Sequence, residues 1–252
     1  MSPAKSDEEI KTAGAAPEGA VDEKSAARAV QQMFDEIAPR YDLANHLLSM
    51  NVDRMWWSRT ARSFVHILSR PDARVLDLCC GTGDMATALR KLMRSGALFG
   101  ADFSHEMLRQ GKPKFTAHNI AAVEADALQL PFKSNQFDLV SSAFGFRNLA
   151  NYDHGLGEIY RVLRGGGEVG ILDFNEPDGV FGKIYGFYFR NILPKLGTLI
   201  SGVSGPYSYL PASVKRFPAP AGILERMRAA GFRDASWTAY TFGIAGLYRG
   251  RK

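Results

Sequence analysis

The sequence contains few residues of the kinds that build metal centres and disulfide frameworks. Its 252 residues include five histidines and two cysteines, and the two cysteines, Cys79 and Cys80, are adjacent. Adjacent cysteines cannot tie distant segments together, so we expect no disulfide framework and a reducing compartment. No His/Cys cluster with metal-ligand spacing occurs in the sequence, and we therefore expect no bound metal.

Long apolar runs are also missing. No stretch approaches the roughly 20 apolar residues that span a bilayer. The first residues lack the apolar segment of a secretory signal and the arginine-rich, acid-poor character of a transit peptide. We therefore expect a cytoplasmic protein.

Charge is distributed unevenly along the chain. Residues 1–24 carry six acids and three lysines, a net charge of −3, whereas the whole chain is +5 and the remainder is thus +8. A basic body can be attracted to nucleic acid or to an anionic membrane surface. Its basic residues are scattered and do not cluster beside aromatic ones, so we expect no nucleic-acid partner and leave peripheral contact with a membrane surface open.

The pattern of the chain indicates one domain that follows a short tail. Residues 1–24, rich in alanine, glycine, proline and acids, are predicted to be a disordered acidic tail. Residues 25–252 are predicted to form a single domain, since 46% hydrophobic content is enough for a full core. Within it, residues 25–70 predict an N-terminal helical lid and residues 175–216 an insert on the substrate side.

Strand and helix patterns alternate regularly between the lid and the insert. Predicted strands are 73–79, 97–102, 120–125, 137–143 and 167–174, with a closing pair near 233–241 and 243–249. Predicted helices are one from Ser25 to Pro39, then 43–50, 56–68, 84–94, 104–114, 153–163 and 219–230. This alternation predicts the α/β class, with a doubly wound and mostly parallel sheet of seven strands. The insert carries an aromatic stripe at helical spacing: Phe181, Tyr185, Tyr188 and Ile192.

One corner of the predicted sheet has the residues of a nucleotide-type site. A strand ending in Asp77-Leu78 leads into Cys-Cys-Gly81-Thr-Gly-Asp84, and Asp102 follows Gly81 by 21 residues. A glycine turn between strand and helix lets a ligand approach the backbone, and the helix offers free N–H groups. Because Asp84 in the first helical turn repels phosphate, we favour a cationic ligand without phosphate, such as S-adenosylmethionine.

Two other interpretations of this corner stay open. Gly81-Thr-Gly-Asp-Met-Ala86 formally fits the dinucleotide pattern G-x-G-x-x-A, and Asp102 has the spacing of a ribose-binding acid. An NAD-dependent oxidoreductase is therefore an alternative. The other is a tight turn that binds nothing.

Several further blocks point to one family. They lie at residues 34–42, 75–84, 101–104, 126–132, 144–148, 161–164, 207–210 and 230–232. On these blocks the chain resembles, over residues 33–250, the quinone-ring C-methyltransferases of menaquinone and ubiquinone biosynthesis. The most specific are Phe144-Gly-Phe-Arg-Asn148 and Tyr207-Ser-Tyr-Leu210, because the glycine and acid motifs are shared by many methyltransferases.

The resemblance implies a Rossmann-like class I methyltransferase fold with S-adenosylmethionine as cofactor. Together with the glycine corner, it gives eight candidate donor-binding residues: Asp77, Gly81, Thr82, Gly83, Asp102, Asp126, Ala127 and Ala143. In this assignment Asp102 accepts from the ribose hydroxyls and Asp126 from the adenine amine. Ala143 stands where the family usually has serine, so any bond from that hydroxyl is absent.

The resemblance also implies the reaction, which is methylation of a ring carbon in a polyprenylated quinol. Demethylmenaquinol is the favoured substrate, and a ubiquinone-precursor benzoquinol is the alternative. Arg147 is the first candidate to stabilise the substrate phenolate, Tyr41 and Asp42 are candidates for its deprotonation, and Asn148 could orient a quinol oxygen. An RNA or protein methyltransferase and a donor-binding regulator without catalysis are more remote alternatives.

Each catalytic candidate also has a purely structural interpretation. Arg147 could instead pair with Asp138 or Asp153, and Tyr41 and Asp42 could pack and cap a helix. The chain departs from the family pattern at Asn51 and Asp53, usually glycine and histidine, at Gly165, usually proline, and at Asp173, usually glutamate. The oligomeric state stays open.

Overall fold

One sheet of seven strands organises the molecule, in the order β3-β2-β1-β4-β5-β7-β6. A computed structural model describes residues 12–40, 51–177 and 205–252, together with Gly179, Gly182 and Gly186. The strands are β1 (Arg74–Leu78), β2 (Ala97–Asp102), β3 (Ala121–Glu124), β4 (Phe137–Ala143), β5 (Leu163–Phe174), β6 (Arg233–Tyr240) and β7 (Ala245–Arg251). The first five pair in parallel, and β7 pairs antiparallel with both β5 and β6.

The structure gives the bounds of eight α-helices that accompany the sheet. They are α1 (Glu23–Ile37), α2 (Val52–Arg62), α3 (Val65–Leu68), α4 (Asp84–Arg90), α5 (His105–Ala117), α6 (Tyr152–Val162), α7 (Gly205–Arg216) and α8 (Pro220–Ala229). Short 3-10 turns lie at Ala38–Arg40, Phe146–Asn148 and Thr241–Gly243. No helix in the part of the chain that the structure describes has both the length and the apolarity to cross a membrane.

Apolar residues cover both faces of the sheet. Along β1, Leu76 and Leu78 pack on one side with residues of α6 and α8, whereas Val75 packs on the other with residues of α2 to α5. Side chains alternate between the faces of a strand, so one strand serves both layers. A parallel sheet needs such cover on both faces, which confirms the predicted doubly wound α/β class.

The order of the strands places a crevice between β1 and β4. From β1 the chain adds β2 and then β3 on one side, and it then crosses back to add β4 and β5 on the other. The connections that leave the carboxyl ends of β1 and β4 therefore diverge, and open α/β sheets bind ligands at such a point. The fold thus directs attention to the carboxyl edge of β1, β2 and β4.

Two predicted helices differ from the observed ones. The helix predicted at 84–94 ends at Arg90, because the next turns close through Leu92 N to Leu89 O at 3.0 Å and Met93 N to Arg90 O at 3.1 Å. The helix predicted at 56–68 is split into α2 and α3. The break leaves Phe64 fully buried, with its ring where a Cβ on Gly170 of β5 would approach to 2.5 Å.

Residues 12–22 make defined contacts with the domain, although they belong to the predicted disordered tail of residues 1–24. The backbone N–H of Ala15 donates to Leu149 O at 2.8 Å. Asp22 caps α1, which begins two residues before its predicted start. The backbone hydrogen bond and the cap explain the difference, since both tie this segment to the folded chain.

Parts of the predicted lid and insert lie outside the described residues. The predicted helix 43–50 and the four residues of the aromatic stripe, Phe181, Tyr185, Tyr188 and Ile192, lie outside the described residues. The end of the predicted insert forms α7, which contains Pro211 and contacts the turn Phe146–Asn148. The division into lid, domain and insert stays a prediction.

Candidate active site at the carboxyl edge of the sheet

A cavity opens in the crevice that the strand order creates. It contains about 710 Å³ of space, open solvent included, and its lining comes from the ends of β1 to β4 and from α1. Six of the sequence-predicted site residues line it: Gly81, Asp102, Asp126, Ala127, Ala143 and Asn148. Asp77, Thr82, Gly83 and Arg147 are not among its lining residues.

The two glycines of the turn have different surroundings. Gly81 (φ 53°) and Gly83 (φ 90°) both adopt the left-handed conformation that favours glycine. A Cβ on Gly81 would meet no atom within 4 Å, whereas one on Gly83 would lie 2.5 Å from Cε1 of Phe115. Gly81 therefore leaves the backbone open to a ligand, and Gly83 permits the turn to pack against α5.

Asp102 closes the cavity at the end of β2. Its Oδ2 accepts from the backbone N–H of Gly81 at 2.7 Å, and its Oδ1 accepts from the N–H of Ser104 at 2.9 Å. Burial raises the pKa of Asp102 to about 6, although these backbone hydrogen bonds oppose the rise. The carboxyl group is thus poised to accept hydroxyl hydrogen bonds from a ligand and to titrate at mildly acidic pH.

Asp77 is a buried acid of β1, close to the turn. It is fully buried, and no bond of ordinary geometry reaches its carboxylate oxygens from the described residues. Burial raises the pKa of Asp77 well above its usual value, while the N–H of Ala86 opposes this and the charge of Asp102 adds to it. Its prediction as a donor-binding residue stays a prediction.

Lys114 on α5 brings a positive charge to the turn and to the start of α4, which the sequence argument did not foresee. Lys114 Nζ lies 2.7 Å from Asp84 Oδ1 and 3.3 Å from Thr82 Oγ1. The ammonium group offsets the charge of Asp84, so this acid repels phosphate less than the sequence predicted. The argument against a phosphate-bearing ligand is correspondingly weaker. The hydroxyl of Thr82 contacts Lys114, and Thr82 does not line the cavity.

Residues that follow β3 and the last residue of β4 also line the cavity. Asp126 lines it, and its Oδ1 accepts from the backbone N–H of Leu128 at 2.8 Å. Ala127 and Ala143 line it with small apolar side chains. An exposed carboxylate beside two alanines suits a flat ring that carries an amine at its edge.

Helix α1 covers the cavity. Phe34 contributes to the lining, the amide Nε2 of Gln31 donates to Phe103 O at 2.7 Å, and the hydroxyl of Ser104 donates to Asp35 Oδ1 at 2.5 Å. These two side-chain hydrogen bonds hold α1 to the segment that follows β2. The helix is thus placed to control entry and exit of a ligand.

Sequence reasoning missed part of this contribution. It gave no individual role to Phe34, Gln31 or Asp35. Ala27 also lines the cavity, and it precedes Gln31, Phe34 and Asp35 by four, seven and eight positions. That spacing puts all four on one helical face, and this was the available signal.

Arg147 is paired with Asp173, which is neither of the partners considered from the sequence. Its Nη1 donates to Asp173 Oδ1 at 2.9 Å, and its backbone N–H donates to Asp173 Oδ2 at 2.9 Å. Nη1 also donates to the carbonyl oxygen of Phe144. Asp138 pairs instead with Arg164 at 3.0 Å, and Asp153 pairs with another arginine.

Burial makes this ion pair a rigid part of the site. Asp173 is fully buried and Arg147 is 6% exposed. Burial raises the pKa of Asp173, and the nearby charge and hydrogen bonds of Arg147 oppose that rise. The charge of the guanidinium is therefore already partly compensated by Asp173, a feature that sequence reasoning did not foresee.

Of the three remaining candidates, only Asn148 lies among the described residues. Asn148 lines the cavity, and its Nδ2 lies 3.4 Å from Phe144 O. Tyr41 and Asp42 lie outside the described residues, so their predicted roles stay predictions.

The fold matches solved methyltransferase structures. The chain covers 98% of a crystal structure of an S-adenosylmethionine-dependent methyltransferase from Thermotoga maritima, described as a possible histamine N-methyltransferase, over 88% of its own length. The TM-score is 0.61 at 17% sequence identity, a likeness that concerns the fold alone. The doubly wound sheet and the cavity beyond the glycine turn therefore define a Rossmann-like methyltransferase fold.

Sequence comparisons are more specific. The model of the ubiE/COQ5 methyltransferase family matches residues 21–252. The chain is 46% identical over 221 residues to a demethylmenaquinone methyltransferase of Thermus thermophilus, covering 86% of this chain and 99% of that protein. It is 44% identical over 234 residues to the enzyme of the same name in Deinococcus radiodurans, covering 92% and 95%. It is 40% identical over 229 residues to the ubiquinone/menaquinone biosynthesis C-methyltransferase UbiE of Geotalea daltonii, covering 88% and 96%.

This chain belongs to the ubiE/COQ5 methyltransferase family. It is an S-adenosylmethionine-dependent methyltransferase, which decides between the two ligands that the glycine turn left open. The NAD-dependent alternative is wrong.

Proposed function

We propose that the protein transfers a methyl group from S-adenosylmethionine to a ring carbon of demethylmenaquinol, and that menaquinol is the product. The observation that carries this proposal is the identity of 44% and 46% to two demethylmenaquinone methyltransferases over most of the chain. A cavity lined mainly by apolar side chains at the sheet edge suits an aromatic ring next to the donor.

The reaction needs an electron-rich ring carbon. A quinol hydroxyl loses its proton, and the phenolate pushes electron density onto the neighbouring carbon. That carbon forms a bond to the methyl group while the carbon–sulfur bond breaks, and the electron pair stays on sulfur in S-adenosylhomocysteine. Loss of the ring proton then restores the aromatic ring, and the ring oxygen takes up a proton to give the quinol. The enzyme has to favour the phenolate, align the reacting atoms and exclude water.

The residues that line the cavity support the proposed donor site. Asp102 would accept the ribose hydroxyls, and Asp126 would accept the adenine amine. Gly81 would allow close approach to the backbone, while Ala127 and Ala143 would flank the adenine. Asp77, Thr82 and Gly83 would act behind this lining. Thr82 and Gly83 would support the turn, and Asp77 would lie behind it as a buried carboxyl group.

Arg147 is proposed to stabilise the phenolate. A guanidinium stays protonated at neutral pH and is a poor base, so its contribution is electrostatic. Asp173 holds it in place through two hydrogen bonds of 2.9 Å. Asn148, at the cavity wall, is proposed to orient a quinol oxygen. Tyr41 and Asp42 remain proposals for proton removal.

A labelled-donor assay tests the function. Methyl-labelled S-adenosylmethionine would be offered with chemically reduced demethylmenaquinol and, separately, with the corresponding ubiquinone-precursor benzoquinol. We expect label in the naphthoquinol. Label in the benzoquinol alone would transfer the assignment to ubiquinone biosynthesis, to which the name of the Geotalea relative also refers. Label in neither quinol would contradict the proposal.

Arg147 can be tested in the same assay. Replacing Arg147 with Ala would leave the carboxylate of Asp173 buried without its partner, so a loss of activity could reflect misfolding. Arg147→Lys retains a charge but lacks the planar fork. We expect both variants to lose at least tenfold in kcat while Arg147→Lys keeps its affinity for S-adenosylhomocysteine. Wild-type kcat in Arg147→Lys would remove this residue from the mechanism.

We further propose that the enzyme works at the cytoplasmic surface of the membrane that holds the prenyl tail. Phe242, in the turn between β6 and β7, is 81% exposed, and Met55 on α2 is 55% exposed. Trp56 Nε1 donates to Thr241 Oγ1 at 2.8 Å and so joins α2 to that turn. Exposed apolar side chains beside the exposed Arg54 fit an anionic lipid interface.

Liposome co-sedimentation tests this proposal. We expect binding to vesicles that contain anionic lipid, and a lower bound fraction for Phe242→Asp. Val65→Asp is the control, because Val65 is 50% exposed and lies on α3. No binding of the wild type to vesicles with or without anionic lipid would contradict membrane contact.

A further inference from the structure

Three buried polar atoms around the turn Phe146–Asn148 have no hydrogen-bond partner among the described residues. They are Nε of Arg147, Oδ1 of Asn148 and the hydroxyl oxygen of Tyr209 on α7. Buried polar groups are nearly always paired, because leaving one unpaired costs free energy. Three such atoms in one region therefore need an explanation, and a ligand that supplies the missing partners is one.

The three side chains belong to a single polar cluster. Nη1 of Arg147 and Nδ2 of Asn148 both reach the carbonyl oxygen of Phe144. Helix α7 contacts the turn that carries both residues. The charge of Arg147 also acts on Tyr209, since burial raises the pKa of Tyr209 to about 12 and Arg147 opposes this rise.

The hydrogen-bonding capacities of the cluster match those of a phenol. Arg147 Nε–H can only donate, Asn148 Oδ1 can only accept, and a hydroxyl such as that of Tyr209 can do both. A quinol hydroxyl could donate to Asn148 Oδ1, and after ionisation its oxygen could accept from the other two groups. A tyrosine that keeps its proton at neutral pH is suited to donate to a phenolate.

We infer that Tyr209 belongs to the acceptor site, where its hydroxyl donates a hydrogen bond to the ring oxygen that Arg147 stabilises. The inference rests on the proposed function and adds a residue to it. Tyr209 lies in the Tyr207-Ser-Tyr-Leu210 block, to which the sequence analysis assigned no chemical role.

Access to the cluster passes the side chain of Asn148. This residue lines the cavity, whereas Arg147 and Tyr209 do not. The one hydrogen bond from the Asn148 side chain to a described residue spans 3.4 Å, which is at the weak end of the range. Rotation of this amide would let a ring oxygen approach Arg147 and Tyr209.

Tyr209→Phe tests the inference, and Tyr248→Phe is its matched control. Tyr209 is half-buried with a buried hydroxyl, whereas Tyr248 is fully buried and its hydroxyl donates to Asn175 Oδ1 at 2.5 Å. Removing the unpaired hydroxyl of Tyr209 should leave the midpoint of thermal unfolding unchanged or raise it. Removing the paired hydroxyl of Tyr248 should lower the midpoint, because Asn175 loses its partner.

Methyl-transfer activity should rank the two variants in the opposite order from stability. At pH 7 we expect Tyr209→Phe to lose at least tenfold in kcat/KM for demethylmenaquinol, with its Kd for S-adenosylhomocysteine within twofold of the wild type. The deficit should shrink near pH 9.5, since the quinol then ionises with less help. We expect Tyr248→Phe to stay within threefold of the wild type in kcat/KM.

The outcomes separate this inference from the proposed function. An active wild type with an equally active Tyr209→Phe would overturn the inference alone. A deficit that is equal at pH 7 and pH 9.5, together with a lowered unfolding midpoint, would assign Tyr209 a structural role and also overturn it. A wild type that methylates no quinol would contradict the proposed function and this inference with it.

Discussion

The backbone N–H of Gly81 donates to Asp102 Oδ2 at 2.7 Å and joins the glycine turn after β1 to the acid that ends β2. The two residues are 21 positions apart in sequence and line the same cavity. A ligand that approaches the backbone at Gly81 therefore meets the carboxyl group of Asp102. The same contact helps the carboxyl group to ionise, because a backbone N–H stabilises the charged form.

Donor binding should weaken as the pH falls through the pKa of Asp102. Burial raises this pKa to about 6, and hydroxyl groups of the donor bind the ionised carboxylate best. Each pH unit below about 6 should therefore reduce the affinity for S-adenosylhomocysteine roughly tenfold. Calorimetry between pH 5 and pH 8 would measure this. An affinity that is constant over this range would contradict the prediction.

Ionisation of Asp102 has the opposite effect on folding from its effect on donor binding. Because the folded pKa of Asp102 lies above the unfolded value of about 4, ionisation of this group opposes folding. That cost is present above about pH 6 and disappears below about pH 4. Asp102→Asn should therefore bind S-adenosylhomocysteine weakly and with little pH dependence, and its unfolding midpoint should change less than that of the wild type between about pH 4 and pH 6.

Asp173→Asn should destabilise the protein and lower its turnover. The change leaves the buried guanidinium of Arg147 without a charged partner, and breaking a buried ion pair costs roughly 3–5 kcal/mol. Asp173→Glu keeps the charge and adds a methylene, for which about 1–3 kcal/mol is expected. Urea denaturation and the labelled-donor assay would measure both effects.

A matched control for this prediction is Asp153→Asn. Asp153 pairs with Arg226 at the surface, and its side chain is 56% exposed. Exposed pairs contribute about 0–1 kcal/mol, so this variant should resemble the wild type. If Asp173→Asn were as stable as Asp153→Asn, the buried pair would not have the structural importance assigned to it.

The two glycines of the turn should respond differently to substitution by alanine. Gly83→Ala places a Cβ 2.5 Å from Phe115 Cε1 at φ 90°, so it should reduce the free energy of unfolding by about 2 kcal/mol or more. Gly81→Ala meets no atom within 4 Å and should cost only about 1–2 kcal/mol, the penalty for its left-handed backbone.

Ligand affinity should rank the two glycine variants in the opposite order from stability. Because Gly81 lines the cavity, Gly81→Ala should weaken binding of S-adenosylhomocysteine more than Gly83→Ala does in the folded fraction. Urea titrations and calorimetry on both variants would measure this. Equal stability in the two variants would contradict the packing role of Gly83.

Gln31→Ala should weaken the closure of α1 over the donor. Its amide donates to Phe103 O at 2.7 Å, and a lost hydrogen bond of this kind costs about 0.5–1.5 kcal/mol, a two- to tenfold rise in Kd. Gln32→Ala is the control, because Gln32 is the same residue type on the exposed side of α1. Stopped-flow release of S-adenosylhomocysteine should be faster for Gln31→Ala only.

Much of the sheet was predictable from local patterns. The predicted strands 97–102 and 137–143 coincide with β2 and β4, because apolar runs of that length between glycine- and proline-containing segments are typical of buried parallel strands. The predicted closing pair near 233–241 and 243–249 corresponds to β6 and β7, which the turn Thr241–Gly243 joins. Helix ends were predicted less well, since the break at Phe64 depends on Gly170, which lies on a distant strand.

The candidate site was predictable in part for a related reason. Gly81, Asp102 and Asp126 directly follow or end strands, and parallel strands bring their carboxyl ends together whatever the details of packing. The partners of Arg147 and Asp84 were not predictable. Asp173 and Lys114 lie 26 and 30 residues away, and nothing in their local sequence marks them as ion-pair partners.

Reading the chain alone was therefore enough for the α/β class, the glycine turn and the family, because these depend on periodicity and on short blocks of residues. The strand order, the closure of α1 through Gln31 and Asp35, and the compensated charge of Arg147 came from the folded molecule. Such features arise from contacts between residues far apart in the sequence, and hydrogen bonds and ion pairs form only where the packing of the whole chain brings their atoms within about 3 Å.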